Sequence, residues 1–407
     1  MTAQNDSPAP AGPAQDGPAQ DGSCAGEPAA QDPRFAPVAA LLENFAAGDP
    51  DYSAQLCVYV AGRPVLDLAV GPHCTPDSLT GVFSCSKGAA AMVMGLLVQD
   101  GLLDLEAPVA GYWPEFAANG KQDITVSQLL SHQAGVLGID GGLPTSHYLD
   151  SELGAGQLAM SEPLWIPGRA HAYHALTIGV LMEELARRIT GERLQEIYER
   201  RIRVPFGLDF HLGLAAAHEP RYRDVLHPLE APPLPFTDPF GHLGIAVNSA
   251  AGFDGPGGRT HNIIDVPNAR EVREAGIAAA GGTASARGMA RLYAAASTGV
   301  VLPDGTAAGP FLSEATRAAL SREQVFGIDR ASGLTGAFGI VFMKSQPRND
   351  FGSWRAYGHD GANGALAYAD PLYGIGFGYV PARAEATGTG SRGGLLSVAV
   401  RQALLAG

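Results

Sequence analysis

Residues 83–101 read FSCSKGAAAMVMGLLVQDG. The stretch opens with S-x-x-K, at Ser84 and Lys87, and continues as an alanine-rich apolar run that predicts a buried helix stopping at Gly101. The spacing sets both side chains on one helix face, close enough to touch. The chain has only three lysines, Lys87, Lys121 and Lys344, against 24 arginines, so Lys87 is drawn from a small stock. An amine beside a serine hydroxyl at a helix N-terminus makes serine a nucleophile without a histidine base. The competing reading is a cap serine followed by a solvated lysine, because S-x-x-K alone is a common pattern.

Working outward, FAPVAALLENFAAG (35–48) predicts an amphipathic helix ended by Gly48 and Pro50. SAQLCVYV (53–60) and RPVLDLAVG (63–71) predict two strands of a hairpin turning at Ala61 and Gly62. From about 104 to 295 the pattern is mostly helical with long loops; LMEELARRITG stops at Gly191 and ARGMARLYAAASTG at Gly299. Strand signals return in GAFGIVFM (336–343), GALAYADP (364–371) and YGIGFGYVPA (373–382), and GGLLSVAVRQALLAG (393–407) predicts a closing helix. Strands at both ends with helices between them predict one sheet assembled from both termini.

Composition narrows the function classes. The 407 residues are 46% hydrophobic and 17% charged, enough for a large core in one or two domains. The net charge of −14 leaves no basic surplus to neutralise phosphates, which excludes nucleic-acid partners. Residues 1–32 carry Asp6, Asp16, Asp21, Glu27 and Asp32, no basic residue and no aromatic ring, and repeat Pro, Ala, Gln, Asp and Gly. Such a tail cannot bury enough surface to offset its ordering entropy and is expected to be disordered. It has neither a basic start nor an apolar segment of the secretory type, and no apolar run of membrane-spanning length occurs in the chain. The expectation is a cytoplasmic protein without membrane partners. Cys24, Cys57, Cys74 and Cys85 form no C-x-x-C and no zinc-finger spacing, which fits a reducing compartment. Cys85 adjoins Ser84, but without a partner motif it reads as a small packing residue.

Two further segments complete a constellation. Tyr173 lies in WIPGRAHAYHALTIGVLMEELARRITG, where it is expected at the start of a helix after a Pro-Gly turn. His359, Asp360 and Gly361 lie in AYGHDGANGALAYADP, ahead of a strand pattern. Taken singly, a tyrosine or histidine in these settings is ordinary packing. In order, S-x-x-K, a tyrosine motif and then a [KH]-x-G motif before a C-terminal strand resemble the serine hydrolases of the β-lactamase and penicillin-binding-protein superfamily. The resemblance is to the family VIII carboxylesterase and class C β-lactamase-related branch. It is carried by FSCSKG (83–88), LLSHQAG (129–135), WIPG (165–168), YHALTIG (173–179), RITG (188–191), FGIVF (338–342) and GHDGANGALAYADP (358–371), and it spans roughly residues 35–400.

The resemblance implies an α/β (α+β) fold of the β-lactamase/transpeptidase-like kind. An antiparallel sheet is flanked by helices, a mostly helical domain is inserted, and the site lies between them. The expected division is a sheet-containing domain, 33–103 plus 296–407, and a mostly helical domain, 104–295. The resemblance also implies roles. Ser84 is the nucleophile, Lys87 keeps its hydroxyl acidic, and Tyr173 is the general base, its phenolate favoured by the ammonium. His359 stands where the family has a lysine, and the N–H groups of Ser84 and of Ala362, just after His359-x-Gly361, form the oxyanion hole.

Two departures bear on substrate. Tyr173-His174-Ala175 replaces the Y-x-N of β-lactamases and lacks the amide that holds a β-lactam side chain. His359-Asp360-Gly361 replaces K-T-G and weakens binding of a β-lactam carboxylate. The expected activity is therefore a serine carboxylesterase acting on small acyl esters through an acyl-enzyme, with no cofactor and no metal. The alternatives within the superfamily are a β-lactamase, an amidase or D-aminopeptidase, and an acyltransferase; from another class, a catalytically inactive binding protein. Gly388, Gly390 and Gly393 spell G-x-G-x-x-G, but too little chain follows for a dinucleotide unit, and no G-x-S-x-G elbow occurs. His171 and His174 lack an accompanying carboxylate cluster and read as hydrogen-bonding or pocket-lining groups, and His132 as a buried, hydrogen-bonded histidine.

Overall fold

The computed structural model describes residues 32–140, 142–230, 237–247, 253–255, 258–260, 263–347, 349–386 and 391–406. The expected tail over 1–31, with Cys24, and Gly388 and Gly390 lie outside the described residues.

The helix α1 (Ala36–Gly48) leads into strands β1 (Ala54–Val60) and β2 (Arg63–Val70). Ala61 and Gly62 both take positive φ, 49° and 79°, the conformation that a two-residue turn matching the strand twist requires. The helix α2 (Cys85–Gln99) follows, with Gly101 left-handed just beyond it. Much later come α3 (Thr177–Thr190), ended by left-handed Gly191, and α4 (Ala286–Ser297). The chain closes with β3 (Tyr357–Asp360), β4 (Leu366–Asp370), β5 (Ile375–Pro381) and α5 (Ser391–Ala406).

Among the described residues these strands form one antiparallel sheet in the order β3-β4-β5-β1-β2. Its centre joins the two ends of the chain: β1 pairs with β5 in a register that sets Ala54 opposite Pro381 and Val60 opposite Ile375. The fold is the β-lactamase/transpeptidase-like arrangement expected from the sequence. Alternation along the strands divides the core in two. Leu56, Val58, Phe377 and Tyr379 face α1 and α5 with Phe35, Val38, Leu42, Leu396 and Val400. Cys57, Tyr59 and Val380 face the opposite core, which contains α2 and α4. On that face β5 carries Gly376 and Gly378, and α4 lies directly on them. A Cβ at Gly376 would stand 2.6 Å from the Ala290 carbonyl oxygen, and one at Gly378 2.2 Å from that of Ala286. Helix α2 is buried on all sides from Cys85 to Leu97, which explains its uniformly apolar sequence.

Two expectations need correction. GAFGIVFM is not one strand. A short hairpin pairs Val325–Ile328 with Thr335–Phe338, and beyond Phe338 the chain dives into the core. There the N–H groups of Ile340 and Val341 bond the Leu320 and Leu130 carbonyls at helix ends, and the chain rejoins the sheet at Met343, which exchanges two backbone bonds with Gly358 of β3. Tyr173 does not open a helix, since α3 begins only at Thr177. His359 lies ahead of β4, as expected, and itself sits within β3. The stretch between the sheet halves also contributes strand: Phe210–His211 and Thr283–Ala284 join Thr80–Gly81 in a small three-stranded sheet.

Candidate active site

Ser84 follows the strand Thr80–Gly81 and takes the N-cap position of α2, yet its side chain makes no capping bond. Phe83, just before it, adopts φ 47° in the left-handed region, a costly conformation for an aromatic residue, and is held there by burial. The turn is fixed from both sides. Val82 N–H donates to the Gly282 carbonyl at 3.1 Å, and Gly282 N–H donates to Ser86 Oγ at 2.8 Å.

Lys87 is 0% exposed, which removes the reading of a solvated lysine. Its Nζ lies 3.0 Å from Ser84 Oγ, 2.7 Å from the Ala175 carbonyl oxygen and 2.8 Å from that of Ala279. Burial pulls its pKa down to about 7, with partial opposition from the Asp360 and Cys85 charges. Two of its three partners are carbonyls, which can only accept. In the neutral amine both N–H groups are therefore taken by Ala175 and Ala279, and the lone pair is left facing Ser84 Oγ.

Tyr173 reaches the same hydroxyl from the other side. It hydrogen-bonds Ser84, stacks on Phe338 with centroids 5.9 Å apart, and has Lys87 Nζ 4.8 Å from its ring centre. Burial holds its phenol well above the usual tyrosine range, more than the Ser84 hydrogen bond lowers it. The expectation of a resting phenolate favoured by the ammonium fails on this desolvation, since Lys87 itself loses its charge near neutrality.

His359 is fully buried. Its Nδ1 donates to the Asp360 carbonyl at 2.7 Å, so Nε2 is the acceptor and faces Tyr173 Oη at 3.4 Å. The Asp360 carboxylate is engaged in turn by Asn349 Nδ2 at 3.1 Å. Gly361 lies against the Ser84 turn: a Cβ there would meet the Val82 carbonyl oxygen at 2.6 Å. Ala362 packs onto the cluster of Phe83, Val225, Ile264 and Ala384. Asn363 ties the two segments by donating from Nδ2 to the Gly81 carbonyl at 3.2 Å. Ser84, Lys87, Tyr173, His359, Gly361 and Ala362 are thus gathered from three stretches of sequence.

The other candidates fall into supporting places. His174 uses both ring nitrogens: Nδ1 donates to the Ala172 carbonyl at 2.7 Å and Nε2 accepts from Val136 N–H at 3.1 Å. Burial lowers its pKa to about 4, so it stays neutral. His132 accepts the His174 N–H on Nδ1 and is pushed well below the usual histidine range by burial. The Cys85 thiol is raised well above its ordinary range by burial and points at the His359 carbonyl, 3.2 Å away, so it is no competing nucleophile. Among the described residues no cluster of three or more His, Cys, Asp or Glu side chains is arranged to hold a metal. Sequence reasoning missed the carbonyls of Ala175 and Ala279 and the amide of Asn363. A run such as AAAGG (278–282) carries no side-chain signal that one of its carbonyls grips a lysine.

The family described as Beta-lactamase matches residues 39–396, and the chain belongs to that family. It is 33% identical over 370 residues to "Esterase/beta-lactamase LipL" of Mycobacterium tuberculosis, covering 86% of this chain and 82% of that protein. Among solved structures, EstA from Arthrobacter nitroguajacolicus Rue61a is 54% identical with a TM-score of 0.87, covering 93% of this chain and 98% of that one. A family VIII carboxylesterase is 30% identical with a TM-score of 0.79, covering 92% and 99%.

Proposed function

We propose that this protein, a serine hydrolase of the carboxylesterase kind, cleaves small acyl esters through an acyl-enzyme on Ser84. The carrying observation is the environment of Lys87, whose Nζ touches two carbonyl oxygens and Ser84 Oγ; as a neutral amine it gives both N–H groups to the carbonyls and turns its lone pair to Ser84 Oγ. Lys87 takes the Ser84 proton as Oγ bonds to the ester carbonyl carbon, and the carbonyl electron pair moves onto oxygen. The N–H groups of Ser84 and Ala362 receive that oxyanion; each such donor is worth about 3 kcal/mol to acyl transfer. On collapse the ester C–O bond breaks, and the proton passes through Lys87 and the Tyr173 phenol to the departing alcohol oxygen. Water then repeats the sequence on the acyl-enzyme, releasing the carboxylic acid and restoring Ser84. His359 orients the Tyr173 hydroxyl through its acceptor nitrogen.

A panel of p-nitrophenyl esters of rising chain length, run beside nitrocefin, tests the substrate class. Ala175 supplies no amide and the Asp360 carboxylate is a like charge toward a β-lactam carboxylate. Short esters are therefore expected to exceed nitrocefin in kcat/KM by about 100-fold, equivalent to roughly 2.7 kcal/mol. β-Lactam hydrolysis is the second reading, because the mycobacterial relative carries both activities in its name. Nitrocefin as the better substrate would establish it.

No helix among the described residues is long and apolar enough to cross a membrane. We propose further that the enzyme works in the cytoplasm, where the free thiols of Cys74 and Cys85 suit a reducing environment. Recovery from culture medium after cell fractionation would refute that location.

A further inference from the structure

Tyr173 poses a mechanical problem. It lies outside any helix or strand, three residues after Arg169-Ala170 and four before α3, and no ladder holds its backbone. Its neighbours are secured by His132: Ala172 N–H donates to the His132 carbonyl at 3.2 Å, and His174 N–H to His132 Nδ1 at 3.1 Å. Tyr173 N–H donates elsewhere, to Asp329 Oδ2, 2.6 Å away and 156 positions along the chain.

Asp329 ends the first strand of the Val325–Ile328/Thr335–Phe338 hairpin, and its side chain is buried, at 3% exposure. Its other oxygen, Oδ1, accepts from Ala331 N–H at 3.0 Å, Ser332 N–H at 2.8 Å and Ser332 Oγ at 3.1 Å. The Oδ1 bonds are what an aspartate closing its own turn makes. The Oδ2 bond is not local and has no part in that turn. All four partners are donors, so both oxygens must accept, which an ionised carboxylate does and an amide cannot. The same hairpin supplies Phe338, which stacks on the Tyr173 ring. Backbone and ring of Tyr173 are thus gripped by one element.

We propose that Asp329 is a positioning residue for the reaction: its carboxylate holds the Tyr173 backbone so that the phenol meets Ser84. The inference rests on the assignment of a proton-transfer role to the Tyr173 hydroxyl. Asp329→Asn keeps size and shape but must turn its NH2 toward a donor. With the amide oxygen kept on the Ala331 and Ser332 side, the NH2 repels Tyr173 N–H.

A double-mutant cycle separates positioning from general support. Asp329→Asn is expected to lower kcat on a short p-nitrophenyl ester by about 10- to 100-fold with KM little changed, the scale of a misplaced catalytic group. In a Tyr173→Phe background, where no hydroxyl remains to position, the same change should cost less than about 2-fold. Asp329→Ser keeps an oxygen for the Ala331–Ser332 turn but cannot reach Tyr173. It should fold, with a Tm lowered by a few degrees for the orphaned Tyr173 N–H, and show the kcat loss. Ser332→Ala, which removes one Oδ1 contact and the bond from Leu334 N–H but spares Oδ2, should leave kcat within about 2-fold. Equal losses in both backgrounds, wild-type kcat in Asp329→Ser, or an Asp329→Ser protein that does not fold would each overturn the proposal. Wild-type activity in Tyr173→Phe alone would instead remove the role of Tyr173, a distinct result.

Discussion

The two sides of Ser84 are built in opposite ways. On the Lys87 side the partners stand three residues apart, and one turn at the head of α2 delivers both. On the Tyr173 side nothing is local. The tyrosine reaches Ser84 from a segment with no regular structure, pinned by His132, by Asp329 and by the ring of Phe338. Burial also acts on the two sides with opposite sense. It lowers Lys87 to about 7, so that a large share of the amine is neutral at neutral pH, and keeps the proton on Tyr173 by raising its phenol. The pair therefore rests as a near-neutral amine beside a neutral phenol, a base and an acid on either side of one hydroxyl.

Substitutions can break this contrast at several depths. Ser84→Ala removes the atom both sides serve; kcat should fall by about 10⁴-fold or more, with fluorophosphonate labelling lost and Tm kept. Residual turnover at wild-type level would end the assignment of the nucleophile. Lys87→Met, which keeps an unbranched apolar stem but deletes the amine, should cost about 10³-fold in kcat. A loss no larger than that of Tyr173→Phe would mean the local side is not the dominant one. Tyr173→Phe should cost on the order of 10²-fold, measured as kcat on the same ester. Gly361→Ala drives a Cβ toward the Val82 carbonyl and displaces the Ala362 N–H; about a 10-fold drop in kcat is expected, with KM nearly unchanged. An unaffected Gly361→Ala enzyme would remove Ala362 from the oxyanion site.

The same contrast explains what the sequence disclosed. Features set by near neighbours were legible. The Ala61-Gly62 turn, the all-round apolar α2 and the Gly191 helix stop are read from short windows, because their causes are short-range. The joining of β1 to β5 was also legible, since both carry alternating strand patterns and need a common core. Features whose cause is a distant backbone atom were not. GIVFM has strand composition, but the N–H groups of Ile340 and Val341 are claimed by helix-end carbonyls at Leu320 and Leu130. Tyr173 precedes a strong helical pattern, yet the start of that helix is delayed to Thr177 while the segment bonds to His132 and Asp329. The carbonyls that hold Lys87 belong to alanines, whose side chains give no sign of it. The residues gathered around Ser84 were thus open to reading, and the backbone groups that hold them were not.

The central claim is that Lys87 works as a neutral amine whose pKa burial has lowered to about 7. The sign follows directly. Below pH 7 the amine is protonated, no lone pair faces Ser84, and the rate falls tenfold per pH unit; above pH 7 the base is ready and the rate levels off. The most direct measurement is kcat/KM on a short p-nitrophenyl ester from pH 5 to 9, for the wild type and for His359→Gln, whose side chain does not titrate. The account predicts one limb rising to a plateau near pH 7 in both proteins. A flat profile in the wild type, or a limb that vanishes in His359→Gln, would contradict it.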